Sequence, residues 1–195
     1  AIISAMATNT HSDHLHKLST GLHELYEGQV FTDVEFMVGS RSFHAHRLVL
    51  CAVSPYFRRM LSSSFSESQA CGPIVIGDMS AETFDALLSF VYNGSVKSLT
   101  ADSACEIMRG ADRVCMDSLA QYCIDFLLGG RITPGNCCPA LRAASELGGR
   151  APSRWSPLLR ACLAFAVEHA PELLPPEPPE GGGGGVADLD AAGLG

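Results

Sequence analysis

Two histidines and a cysteine stand close together early in the chain, in the segment SFHAHRLVLC at residues 42–51. A structural zinc site needs four ligands, which usually come in pairs two to four residues apart. Neither His44 nor His46 has an Asp, Glu or Cys at ligand spacing, and the cysteines form no C-x-x-C pair. The eight cysteines are Cys51, Cys71, Cys105, Cys115, Cys123, Cys137, Cys138 and Cys162. We therefore expect the two histidines to be structural and to bind no metal.

A second group of histidines, His11, His14 and His16, lies where a helix is predicted to start. Their spacing suits a chelator, but no closed ligand set accompanies them, so a solvated helix end is the favoured interpretation. Cys71 lies in a loop flanked by Gly and Pro, and no cation stands beside it in sequence to make it a reactive thiolate. The chain has no nucleophile elbow, phosphate loop or catalytic-cysteine signature. The sequence thus predicts neither an enzyme nor a cofactor.

The overall composition narrows the class of partner. The 195 residues carry a formal charge of −8, and no basic stripe with interleaved aromatics occurs, so nucleic acid is a poor partner. Apolar runs are far shorter than the roughly 20 residues of a membrane-spanning helix. The first ten residues have no Lys or Arg before their apolar stretch, unlike a secretory leader. We expect a protein partner, a cytoplasmic or nuclear location and reduced cysteines.

Four leucines, Leu15, Leu18, Leu22 and Leu25, follow helical spacing and form one apolar face of a predicted short helix. We call them the leucine row. Such a face must pack on something, but its spacing does not identify the partner surface. The protein's own core and a second copy of the chain remain equal alternatives at this point.

Strands are predicted from the alternation of Val34, Phe36 and Val38, which has the period of a half-buried strand. The dipeptide GS at 39–40 then supplies a hairpin turn into RSFHA, and PIVI at 73–76 indicates a short buried strand. Helices follow, and their start signals are Ser54–Pro55, Ser80, Thr100, Thr133–Pro134 and Ser156–Pro157.

The order of strands before helices indicates an α+β fold, with helices clustered on a small mixed sheet and a short all-α segment after it. Leu48, Val49, Ala52 and Val53 fit the apolar spacing of a helix that follows the hairpin. Pro139 removes a backbone donor and should shorten or kink the helix that begins at Thr133. From about residue 175 the Pro- and Gly-rich tail holds too little apolar surface to fold.

Four motifs together resemble the BTB (POZ) domain of the kelch-like family: DVEF at 33–36, SFHAHRLVL at 42–50, SPYFRRML at 54–61 and FVYNG at 90–94. The resemblance implies a BTB domain over residues 11–128, after a flexible N-terminus at 1–10. Residues 129–174 resemble the start of a BACK domain, and residues 175–195 form the tail. It also places Asp33 and Arg47, with the leucine row, at a dimer interface.

Proteins of this family dimerise and recruit cullin-3 to a ubiquitin ligase, so the resemblance implies cullin-3 and a second copy of the chain as partners, and other BTB proteins as further ones. Phe65, Ser66 and Glu67 match the family's hydrophobic-x-Glu cullin motif, and Tyr92 matches an aromatic on the cullin-facing surface. The helix pair at 116–147 favours this function. The alternative is a dimerisation module of a transcriptional or cytoskeletal regulator that does not bind cullin. Neither a kelch repeat nor a zinc finger occurs in this chain.

Overall fold

The structure is a computed structural model that describes residues 2–62, 72–149 and 152–173, with side chains from residue 12 onward. In chain order its elements are α1 (Ile2–Glu27), β1 (Val34–Val38), β2 (Arg41–Ala45), α2 (Arg47–Val53), α3 (Pro55–Leu61), β3 (Ile74–Ile76), α4 (Ala81–Asn93), α5 (Ala101–Arg113), α6 (Asp117–Leu128), α7 (Pro134–Gly148), α8 (Pro152–Glu168) and α9 (Ala170–Leu173). The predicted α+β class is confirmed. No described helix is both long enough and apolar enough to cross a membrane.

The sheet is small and mixed, with the strand order β2-β1-β3. β1 pairs antiparallel with β2, placing Phe36 opposite Phe43, and parallel with β3, placing Phe36 opposite Ile74. Gly39 takes a left-handed φ of 61° in the predicted hairpin turn, where a side chain would be strained. β3 is only half-buried, because Val75 is 72% exposed on the outer face of the sheet. The strand predicted here as buried is present, and its Ile74 and Ile76 are buried.

Buried phenylalanine rings join the inner face of the sheet to the helices. The Phe36 ring centre lies 5.7 Å from that of Phe57 on α3 and 5.3 Å from that of Phe84 on α4. The Phe43 ring lies 5.2 Å from Phe84 in an edge-to-face arrangement. Such pairs contribute about 0.5–1.5 kcal/mol each beyond the area that they bury. The period-two pattern of β1 and β2 therefore points these rings into one core.

Helix α1 is longer than the leucine row alone predicts, because it begins at Ile2 and includes residues expected to be flexible. Gly21 does not interrupt it, although an interior glycine costs about 1 kcal/mol relative to alanine. Leu22 and Tyr26, which follow Gly21, pack against the core, and α1 contacts α4. Tertiary packing of this half of the helix offsets the weak local propensity.

The predicted helix start signals are correct for four helices. The hydroxyls of Ser54, Ser80 and Thr100 each accept a backbone N–H in the first turn of the helix that follows. Thr133 exchanges a reciprocal capping contact with Asn136 at the start of α7. Pro139 lies within α7, which nevertheless continues to Gly148.

The signal at Ser156–Pro157 was misread, because both residues lie inside α8, which starts at Pro152. The Ser156 hydroxyl donates to the Pro152 carbonyl one turn earlier instead of capping a new helix. Trp155 and Leu158 are fully buried on the same helix. The burial of these large side chains extends the helix across a proline that removes a single backbone donor.

Cysteines fill the junction between the last four long helices. Cys105, Cys123, Cys137 and Cys162 are buried on α5, α6, α7 and α8, and all described cysteines are free thiols. The Cys137 thiol donates to the Cys162 carbonyl at 3.4 Å. Burial raises the pKa of Cys123 and of Cys162 to about 12, so both stay protonated and pack as small apolar residues.

We expect Ser54→Ala to lower the free energy of unfolding by about 2–3 kcal/mol, because a lost helix cap and an unsatisfied buried carbonyl each cost of order 1 kcal/mol or more. The fully buried Ser54 hydroxyl accepts from the Phe57 N–H at 3.1 Å and donates to the Val114 carbonyl at 2.6 Å. Ser62→Ala is the matched control, since Ser62 is exposed and its hydroxyl donates to the Arg59 carbonyl of the preceding turn. Urea denaturation measures both variants. Equal stabilities would contradict the assignment.

Candidate protein-interaction surfaces

His46, the residue before α2, uses its main-chain N–H and both ring nitrogens in hydrogen bonds. Its N–H donates to the Tyr92 hydroxyl at 3.0 Å. Nε2 lies 2.8 Å from the Val30 carbonyl oxygen, which can only accept, so Nε2 carries the ring proton. Nδ1 is then the acceptor, and the Tyr92 hydroxyl, 2.8 Å away, donates to it. One neutral imidazole thus joins the segment after α1, the start of α2 and helix α4.

Tyr92 also fixes the end of α1. Its ring stacks on that of Tyr26, with ring centres 4.1 Å apart and planes 8° from parallel. Burial raises the pKa of each of these tyrosines to about 12. Both hydroxyls therefore stay protonated at neutral pH. The ring stack holds the last turn of α1 against α4.

The leucine row divides between two environments. Leu22 packs against the core, and Leu25 is half-buried. Leu15 and Leu18, further from the Tyr26 contact, are 50% and 54% exposed. The core and a second copy of the chain were open alternatives for this face. The structure assigns Leu22 to the core and leaves Leu15 and Leu18 available to another molecule, so their place at a dimer interface stays a prediction.

Asp33 and Arg47 lie together, as the resemblance implies, but they bond through main-chain groups. The Asp33 carboxylate accepts the Arg47 backbone N–H at 2.7 Å at the start of α2. The Arg47 guanidinium donates to the Asp33 carbonyl at 3.2 Å and to the Leu61 carbonyl at 3.4 Å. Asp33 is exposed in this single chain, so the pair is not a buried ion pair here. Its contribution to a dimer contact remains a prediction.

Two exposed apolar side chains beside this pair were not identified from the sequence. Phe31, in the loop after α1, is 82% exposed, and Leu48, the second residue of α2, is 81% exposed. Leu48 fits a helical apolar spacing, but that spacing does not say which helix face turns inward. Phe31 has a left-handed φ of 60°, which is costly for a bulky residue and has no sequence signature.

Of the residues predicted to contact cullin, only Tyr92 is among those that the structure describes. Phe65, Ser66 and Glu67 lie outside the described residues. Tyr92 is described, and it is only 2% exposed because its ring and hydroxyl are used by Tyr26 and His46. A direct contact from Tyr92 therefore stays a prediction, and its side chain is not on the surface of the single chain.

A family comparison identifies the fold. The model of the BTB/POZ domain matches residues 22–130, which is more than half of the chain and runs from the second half of α1 past the end of α6. The chain belongs to the BTB/POZ domain family. BTB/POZ domains are modules of protein–protein interaction, and the His46–Tyr92 contact lies within the matched segment.

Curated relatives of this BTB protein fall into two groups. TD and POZ domain-containing protein 3 of Mus musculus is 35% identical over 116 residues, covering 59% of this chain and 32% of that protein. Kelch-like protein 3 of Homo sapiens is 29% identical over 161 residues, covering 83% and 26%. Kelch repeat and BTB domain-containing protein 4 of Mus musculus is 37% identical over 134 residues, covering 68% and 24%. The chain thus spans about a quarter to a third of the length of these relatives.

The match to Kelch-like protein 3 must continue beyond the BTB domain. It includes 161 residues of this chain, whereas residues 1–130 could supply only 130. The similarity therefore includes part of the segment after residue 130, where α7 and α8 lie. A match of 116 residues, as in the TD and POZ relative, needs no such extension.

The histidines of this BTB protein are not arranged as metal ligands. No group of three or more His, Cys, Asp or Glu within residues 12–62, 72–149 and 152–173 could hold a metal ion. His44 is half-buried on β2, and His46 is engaged by Tyr92. His14 and His16 are exposed on α1, and the side chain of His11 lies outside the described residues.

We expect Tyr92→Phe to lower the free energy of unfolding by about 1–3 kcal/mol, the cost of leaving buried polar groups unsatisfied. The ring would still stack on Tyr26, but the N–H and Nδ1 of His46 would lose their partner. Tyr122→Phe is the control, because the Tyr122 ring packs on Phe90 and its hydroxyl has no hydrogen bond to a described residue. Equal denaturant midpoints for the two variants would show that the hydroxyl network is unimportant.

Alkaline titration followed by tyrosinate absorbance should show late ionisation of Tyr26 and Tyr92. Burial raises the pKa of Tyr26 and of Tyr92 from 10.0 to about 12, so the folded state favours their neutral forms. The resulting stabilisation is fully present below pH 10.0 and is lost as pH rises through about 12. Tyr92→Phe should remove one late-ionising group. A folded chain whose tyrosines all ionise near pH 10 would refute this.

Proposed function

We propose that this chain is a dimeric BTB adaptor that binds cullin-3 as part of a ubiquitin ligase. The observation that carries the proposal is the similarity to Kelch-like protein 3, which extends past residue 130 into α7 and α8. The helix pair predicted at residues 116–147 corresponds to α6 and α7 in the structure. In cullin adaptors that the sequence resembles, the helices after the BTB domain extend the cullin-binding groove. A chain that uses its BTB domain only for assembly has no need of them.

The packing of α7 and α8 supports this proposal, because the pair is oriented firmly on the BTB helices. Arg154 of α8 donates to the Asp117 carboxylate of α6 at 2.6 Å, and this contact holds the pKa of Asp117 below its usual value. Arg109 of α5 lies 3.6 Å from the Glu146 carboxylate of α7. Exposed ion pairs contribute only about 0–1 kcal/mol each. Buried Trp155 supplies packing, and the ion pairs set the orientation.

The proposed cullin contact is Phe65-Ser66-Glu67, in the segment of sequence between α3 and β3. An aromatic side chain in a polar loop can fill a hydrophobic pocket on a partner, and buried aromatic anchors dominate binding energy at interfaces. Glu67 can add charge-assisted hydrogen bonds at the rim. Tyr92 has no direct contact in this proposal, because its side chain is buried.

Dimerisation is the second part of the proposal. Leu15 and Leu18 expose apolar surface on α1, and a two-fold axis would bring the same stripe of a second copy against them. The Tyr26–Tyr92 stack and the His46 hydrogen bonds support this arrangement, because they fix the direction in which α1 leaves the domain. The Asp33 carboxylate accepts the Arg47 N–H at the start of α2, and we propose that this pair borders the dimer contact.

The alternative function is assembly without cullin. It is favoured by relatives such as TD and POZ domain-containing protein 3, whose match of 116 residues requires nothing beyond the BTB domain. Both functions predict a dimer, so dimerisation does not separate them. Cullin binding does.

Leu18→Asp should convert the dimer to a monomer, because it would place two carboxylates in the apolar contact between copies. Multi-angle light scattering at micromolar concentration measures the mass. Leu163→Asp on α8 is the control, since Leu163 is about as exposed as Leu18 and lies on a different helix. A wild-type chain that is already monomeric at this concentration would refute the dimer.

Phe65→Ala should weaken binding to the cullin-3 N-terminal domain by about 2 kcal/mol, roughly 30-fold, as loss of an anchor residue does. Ser64→Ala, in the same loop, is the control and should bind like the wild type. Glu67→Ala should weaken binding less, and the difference from wild type should shrink at high salt. Calorimetry measures the affinities, and thermal melting checks that each variant is folded. No binding by the wild type, or equal binding by Phe65→Ala, would favour assembly without cullin.

A further inference from the structure

A groove of about 720 Å³ lies between strand β2 and helix α4. β2 contributes residues 41–44 to one wall, and α4 contributes Glu82, Asp85, Ser89 and Asn93 to the other. The α4 residues are spaced by three or four, so they share one side of that helix. Neither Leu15 nor Leu18 is among the residues that line the groove.

The wall formed by β2 is a free sheet edge. The strand order β2-β1-β3 gives β2 a strand neighbour on one side only, within the described part of the chain. An edge strand has main-chain donors and acceptors without a strand to pair with on its other side, which makes such an edge a template for another strand. The floor is apolar, since Phe43 and Ala86 both line the groove and are almost fully buried.

The charged side chains that line the groove indicate what kind of side chain it would bind. At one end, the Arg41 guanidinium lies 3.9 Å from each of the Glu82 and Asp85 carboxylates, so two acidic groups share a single distant cation. Arg41 also lies over the Phe43 ring, 4.9 Å from its centre, and so covers part of the edge. At the other end, Lys97 is paired with Glu27 at 2.7 Å. The charge left without a close partner is negative, and it lies beside the free edge.

We propose that this groove binds an extended segment of a partner protein as an added strand along β2, with a basic side chain of that segment between Glu82 and Asp85. Main-chain hydrogen bonds to an edge strand provide affinity, and side-chain pockets provide specificity in this mode of recognition. Arg41 competes with the incoming basic group for the same two carboxylates. The proposal does not depend on cullin binding.

The test uses synthetic peptides of five residues, the length of β2. Fluorescently labelled Thr-Val-Arg-Val-Thr should bind the full chain saturably, and Thr-Val-Glu-Val-Thr should not. Two further arginine peptides carry N-methyl groups on the odd or the even residues. One of them should lose binding, because it lacks the N–H groups that face β2. Amide exchange should show added protection at residues 41–45 in the presence of the arginine peptide.

Variants of the chain test the charge argument in both directions. Glu82→Gln and Asp85→Asn should each weaken binding of the arginine peptide up to about fivefold, the upper range for an exposed ion pair. Arg41→Ala should strengthen it by a similar factor, because it removes the competing guanidinium. Glu168→Gln on α8 and Arg59→Ala on α3 are controls that make the same changes in net charge away from the groove. Each should change the binding free energy by less than about a tenth of the change that the groove variants cause.

Four results would overturn the proposal. The first is no saturable binding of the arginine peptide. The second is binding that survives both N-methylation patterns, because it would not use the edge of β2. The third is binding that the remote charge variants change as much as the groove variants do, because it would reflect net charge alone. Dissociation of a higher oligomer on adding the peptide would identify a second copy of β2 as the occupant, and this also counts against a partner segment.

Discussion

His46 is the residue on which the arrangement of the other elements depends. Its ring accepts from Tyr92 on α4 and donates to the Val30 carbonyl after α1, while its own N–H is bonded at the start of α2. A residue without the imidazole at this position would leave the Tyr92 hydroxyl and the Val30 carbonyl without these ring partners. The stack of Tyr26 on Tyr92 extends the same contact to α1. The direction of α1, and with it the exposure of Leu15 and Leu18, follows from this single network.

Local sequence rules predict most of the helices and strands, but they do not predict which of these elements pack against each other. The alternation in β1 and the caps at Ser54, Ser80 and Thr100 are short-range effects, so the sequence identifies them correctly. Pairing between distant residues has no such signature. The burial of Tyr92 depends on Tyr26 and His46, which are far from it in sequence.

Errors of interpretation arose where tertiary packing opposes a local signal. Ser156–Pro157 has the form of a helix start, yet burial of Trp155 and Leu158 carries α8 through it. Leu48 fits an apolar spacing but lies on the outer side of α2. The groove beside β2 could not have been found from sequence, because a free sheet edge exists only once the strand order is known.

Different elements carry the surfaces proposed for self-association, for cullin and for an added strand, namely α1, the loop before β3 and the edge of β2. A dimeric adaptor should therefore bind a cullin on each copy. The mass of the complex between the chain and the cullin-3 N-terminal domain, measured by light scattering on a saturated mixture, tests this directly. The account predicts two copies of each protein in one particle. A complex containing a single copy of the chain, or two proteins that elute separately, would contradict it.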